Sequence, residues 1–207
     1  MALVKYNNNS ISSVTAATGL ANGAMTLIKT LTASSSATLS FVDGTDSVVL
    51  DSTYPIYVFK FINCHPATDA AELQFNMSTD SGSNYNVTKT TTFFRAYHFE
   101  SDAGAALEYR TQDDLAQSTN FASLIEGLGN GADESGSGTL ELFNPSSTTF
   151  VKHFISQIQI YNASNISADN FVAGYGNTTS AVNAVQFKMD SGNIDAGKIK
   201  LYGIKDS

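Results

Sequence analysis

The side chains here that could do chemistry are mostly acids. Asp113-Asp114 and Asp133-Glu134 sit in pairs, and Asp190 and Asp195 follow near the end. Two carboxyl groups at a set separation can cleave a glycosidic bond, and roughly six to eight oxygens can hold calcium. Neither spacing is diagnostic, and solvated loop acids are the plainer reading. The three histidines, His65, His98 and His153, stand in no His-x-x-x-His or Cys-pair spacing. No Gly-x-Ser-x-Gly elbow offers a nucleophile. The Gly127-x-Gly129-x-Gly131 run lies in a Gly-rich loop extending to Gly138. No strand–turn–helix unit surrounds it, so it is not a nucleotide fingerprint. A mobile loop that can face a partner is expected there.

With 13 Phe, 9 Tyr and no Trp, the chain lacks the strongest sugar-stacking side chain. Most Phe fall on alternating strand faces and are assigned to the core, whereas Tyr109, Tyr161, Tyr175 and Tyr202 are candidates for the surface. Partner or receptor contacts are therefore expected at Gly129, Asn130, Asp133, Glu134 and Tyr175. No residue is assigned to catalysis, to a metal or to a cofactor, and an enzyme is not expected.

The elements that must position these residues read as strands. Charged residues make up only 14 % of the 207, against about 25 % in typical domains, and Ser, Thr and Asn fill the gap. Those types suit strand surfaces and turns and do poorly inside helices. Twelve stretches carry strand signals: 25–31, 37–42, 56–62, 73–77, 85–99, 105–110, 121–125, 139–143, 150–161, 171–173, 182–189 and 198–204. Some are weak, and about ten strands are expected. Ile56 to Ile62 is apolar on both faces apart from Lys60, which places it centrally in a sheet. Leu73, Phe75 and Met77 share one face. Phe93, Arg95, Tyr97 and Phe99 share a face of a stretch long enough for a bulge, with Phe94, Ala96 and His98 on the other. Asn63 to Asp69 reads as a turn around Pro66, and one helical turn is expected near Asp113 to Gln117. Such a series of strands predicts an all-β jelly roll or sandwich of two antiparallel sheets. Residues 24–207 form its single domain, and residues 1–23 an N-terminal arm for attachment or flexibility.

Composition removes several function classes. The net charge of −8 opposes binding to a phosphate backbone, so no nucleic acid is expected. No stretch approaches the roughly 18 apolar residues of a membrane span, and Met1 to Asn7 lacks the apolar core of a secretory signal. The single cysteine, Cys64, excludes an intrachain disulfide and reads as a small buried residue at a strand end. A long β protein without disulfides fits assembly in a reducing cytosol.

Four segments carry a resemblance. They are Phe59-Lys60-Phe61-Ile62-Asn63 with Pro66-Ala67-Thr68-Asp69, Leu142-Phe143-Asn144-Pro145 through Thr149, Val151-Lys152-His153-Phe154, and Ser191-Gly192-Asn193-Ile194 with Lys198 through Lys205. Over roughly residues 50–205 the chain resembles small jelly-roll structural proteins of the virions of marine tailed bacteriophages, of the tail or tail-fibre kind. The resemblance implies a virion part made in the host cytoplasm, which binds copies of itself as a trimer, other virion proteins and a host-surface glycan. It transfers no catalytic, cofactor or metal residue. A trimer would also cover edge strands that are otherwise open to pairing. A capsid decoration protein and, as a different class, a carbohydrate-binding sandwich are the alternatives.

Overall fold

The computed structural model describes residues 24–206; the expected arm, residues 1–23, lies outside them. Twelve strands are present: β1 (Met25–Thr32), β2 (Leu39–Val42), β3 (Ile56–Pro66), β4 (Leu73–Ser78), β5 (Lys89–Phe99), β6 (Ala105–Tyr109), β7 (Ala122–Ser123), β8 (Gly136–Phe143), β9 (Lys152–Asn162), β10 (Ile166–Gly176), β11 (Ala184–Met189) and β12 (Ile194–Ile204). They form an eight-stranded sheet, β1-β12-β3-β8-β9-β10-β5-β6, and a four-stranded sheet, β2-β11-β4-β7. Every pairing is antiparallel.

The chain enters the narrow sheet at β2, β4, β7 and β11 and returns to the wide sheet after each of them. Eight strands wound this way make the double sheet of a jelly roll, as the alternation predicted. The hairpins β5–β6 and β9–β10 are additions that widen one sheet only. Because the narrow sheet has half as many strands, chain between β6 and β8 covers part of the added inner face. Leu115 N–H donates to the Thr91 hydroxyl at 2.8 Å, and Thr91 N–H to the Leu115 carbonyl at 2.9 Å.

Side-chain alternation puts one core between the sheets. Phe41, Phe59, Phe61, Phe75, Phe154 and Phe187 are all fully buried. Phe187 of β11 meets Phe59 and Phe61 of β3 edge-on, each at 5.2 Å between centroids, and so joins the two sheets. Phe154 of β9 meets Phe75 of β4 at 4.8 Å. Such edge-to-face pairs contribute beyond their buried area. β3 lies between β12 and β8 as expected, and Cys64 is buried at its end, where burial pushes the thiol pKa up to about 12.

Some expectations are corrected. Asn63 to Pro66 is not a turn but the end of β3: Asn63 takes a left-handed φ of 48°, register slips there, and the strand stops at Pro66. β5 pairs with β10 without any slip; the irregularities fall in β1, β3 and β12 instead. No helical turn forms at Asp113–Gln117, which runs as turn and coil. Its backbone bonds go to β5, and Asp113 pairs with Arg110 at 3.0 Å. The stretch expected at 171–173 is an eleven-residue strand, β10. Gly138 marks the closest approach of β8 to β9: a Cβ there would meet the Gln157 carbonyl oxygen at 2.2 Å and the Ile158 Cα at 2.6 Å. Gly138→Ala must therefore displace backbone, and a loss of about 1–3 kcal/mol in denaturant-unfolding free energy is expected.

Candidate interaction surface

The five expected contact residues do not come together. Gly129, Asn130, Asp133 and Glu134 share one loop, while Tyr175 lies on the outer face of β10. That loop enters β8 at Gly136, whose cross-strand neighbour Ile160 pairs with Ala168 of β10. Tyr175 is seven residues further along β10, or about 23 Å at strand spacing. Its ring lies 6.4 Å from that of His153.

The Gly-rich loop is also tied down rather than free. Leu128 is fully buried and exchanges two backbone bonds with Ala71, at 2.9 and 3.0 Å. Asn130 N–H donates to the Asp69 carboxylate and its side-chain amide to the Ala67 carbonyl, each at 3.3 Å. The Glu134 carboxylate folds back to accept the Gly131 N–H, and a Cβ at Gly129 would lie only 2.1 Å from Glu134 Oε2. A side chain at Gly129 would have to displace that carboxylate. Asp133 and Glu134 then border a shallow groove of about 430 Å³ with Asn63, His65 and Asp195.

The other acid pair borders a second groove, of about 450 Å³, with Glu72, Gln74, Phe121 and Lys188. Gln74 stands opposite Lys188 and Ser123 in adjoining strands, so this groove opens on the outer face of the narrow sheet. Glu72 joins it because its N–H bonds the Asp190 carboxylate at 2.7 Å. Burial pushes the Glu72 carboxyl pKa up, and the charges of Asp113 and Asp190 push the same way. Lys188 Nζ sits 4.5 Å over the Phe121 ring. Glu72 carried no sequence signal, since the acids around it, Asp113 and Asp190, are 41 or more positions away. Among the described residues, no group of three or more His, Cys, Asp or Glu is placed to hold a metal ion.

Nearby, Arg95 and Arg110 share the carboxylates of Glu108 and Glu126, and Arg110 also holds Asp113. The network fastens β5 and β6 to the chain that follows them. Its partners are all satisfied within the molecule, so it offers no charge to a ligand.

Among the described residues, the exposed large apolar side chains lie on one face and the turn beside it. The large hydrophobic side chains left exposed are Met25 and Leu27 on β1, Ile62 on β3, Phe94 on β5, Leu107 and Tyr109 on β6, Ile155 on β9, and Phe150 in the turn before β9. Register places the strand members on the outer face of the wide sheet. The rings of Phe94 and Phe171 stack at 4.9 Å with 8° between their planes. Stacked on each other, they present edges and not open faces, which suits packing against protein better than stacking against sugar. Three lysines share this face: Lys60 and Lys200 stand directly opposite each other, and Lys198 is two residues along β12. None of the three is in an ion pair among the described residues. The apolar side chains gather toward the two edges of the sheet, Met25 and Leu27 on β1 and Phe94, Leu107 and Tyr109 on β5 and β6, and exposed apolar clusters mark interaction sites.

No protein-family model, curated protein or solved structure matches the chain.

Proposed function

We propose that the chain is a structural subunit of a bacteriophage virion, in the tail or its fibres, made in the host cytoplasm and working by assembly. The observation that carries the reading is that, among the described residues, the exposed large apolar side chains lie on one face of the wide sheet and the turn beside it. A subunit that must cover such a face does so against copies of itself or other virion proteins. The reading assigns no catalysis and no cofactor. It takes the assembly as a trimer, with loops at the sandwich ends available to a host-surface glycan. The resemblance of residues 50–205 to jelly-roll virion proteins supports it.

Capsid decoration is the near alternative, and copy number separates the two. Quantitative mass spectrometry of purified particles is expected to find a handful of copies per particle; hundreds would move the protein to the shell, and none would end both virion readings. A carbohydrate-binding role has one observation in its favour: the groove at Glu72, Asp113 and Phe121 combines planar polar groups with a ring. Binding on a glycan array that Asp113→Ala abolishes would locate glycan contact there.

A further inference from the structure

We propose that the two edges of the wide sheet meet, β6 of one copy against β1 of the next, in a closed ring of identical head-to-tail contacts. The inference rests on the assembly role above and names the surface that performs it. Strand parity permits it. Eight strands that alternate in direction end in two that run oppositely. A neighbour related by rotation about an axis along the strands therefore sets its β1 antiparallel to β6, the sense used throughout the sheet. Both edges lack a further strand among the described residues, and an open edge is a template for pairing. The eight residues of β1 can accommodate the five of β6.

Both edges also carry the apolar surface that such a contact would bury. Leu107 is 72 % and Tyr109 51 % exposed on β6, and Leu27 is 49 % exposed on β1. Charge selects which edge meets which. One row of cross-strand neighbours runs Thr30, Lys200, Lys60, Thr139, Gln157, Phe171, Phe94, Tyr109 from edge to edge. Lysines lie at its β1 end. At its other end the Tyr109 hydroxyl donates to Asp114 at 2.7 Å, and the exposed Asp102 lies in the turn leading into β6. An unstaggered head-to-tail join brings Lys200 toward Asp114. Joining β1 to β1 sets lysines against lysines, and joining β6 to β6 sets carboxylates against carboxylates, which disfavours both symmetric dimers. A head-to-tail contact leaves a dimer with two unused edges, so closure needs at least three copies.

Native mass spectrometry and sedimentation of the full chain test this at low and at high salt. One discrete species of three or more copies is expected, loosening as salt rises. Leu107→Glu, and the double reversals Lys198→Glu/Lys200→Glu and Asp102→Lys/Asp114→Lys, should each weaken association by at least about tenfold. Mixing the two reversed proteins should restore each contact between unlike copies, fully in an even-membered ring and for two of the three contacts in a three-membered one, because each then supplies the charge the other lacks. A monomer at every concentration, a symmetric dimer, or a ring indifferent to all three variants overturns the contact. Particle association that survives such an outcome leaves the virion role standing; a ring of the expected kind that never joins particles does the reverse.

Discussion

Phe187→Ala lowers the unfolding free energy by about 3–5 kcal/mol. The side chain is completely buried and touches rings from three other strands: Phe41 at 6.3 Å, Phe59 and Phe61 at 5.2 Å, and Phe75 at 6.4 Å between centroids. Its removal leaves a cavity bounded by both sheets, and hydrogen-bonded ladders cannot close on it freely. Domains of ordinary stability hold about 5–15 kcal/mol in all, so the loss is a large share. Denaturant titration should show a lower midpoint with an unchanged slope. Phe187→Leu, which keeps most of the volume, should recover more than half of the loss.

Stability is expected to rise between pH 7 and pH 9, and Lys89 is the cause. Its side chain is fully buried, donating to the Asn76 side-chain oxygen at 2.6 Å and the Val87 carbonyl at 2.8 Å, both neutral. Burial without a carboxylate pulls its pKa down from 10.5 to about 7. Below pH 7 the amine is charged whether the chain is folded or not, and folding bears the whole cost of burying the charge. Above pH 7 the folded form sheds the proton while the unfolded form keeps it, so raising the pH favours folding by at most about 1.4 kcal/mol per unit. The gain stops near pH 9. There the unfolded Cys64 thiol ionises at 9 while the folded one holds its proton to about 12, and the raised Tyr57 hydroxyl acts in the same direction from 10 upward. Both take stability away as pH climbs. Unfolding midpoints at pH 6, 7, 8 and 9 should therefore be level and then rise, and in Lys89→Met the rise should be much smaller, what remains belonging to the buried Lys152, whose pKa burial also lowers. A rise of equal size in the variant would assign it to another group.

Strand positions were legible because a half-buried strand must alternate, and Leu73 to Met77 or Lys89 to Phe99 do so openly. β10 was read as three residues because Ser167, Asp169, Asn170 and Gly174 dilute the pattern. Asn170 is fully buried, with its amide on the Ile158 carbonyl at 3.3 Å, and polar core positions erase the signal that periodicity uses. In sequence the end of β3 reads as a turn on account of Pro66, which lacks a donor yet closes the strand here. The surface was less legible. Acids and glycines in loops marked Gly129 to Glu134, yet the exposed apolar face comes from strands where hydrophobic residues occupy both sides. Phe94 and Phe93 look alike in sequence; only the covering of one face by the narrow sheet and the chain after β6 separates them. The charge difference between the edges was invisible for the same reason, since Lys60 and Lys200 are neighbours only once β12 lies beside β3.

That placement of β12 governs how the molecule can form at all. β12 lies between β1 and β3, and β11 between β2 and β4, so each sheet takes an interior strand from the last two of the twelve described strands. Among the described strands, β1 pairs only with β12 and β2 only with β11, so neither has its strand partner until residues 184–204 have been made. Closing the sandwich therefore waits on pairings between positions far apart in the chain, and such topologies fold slowly.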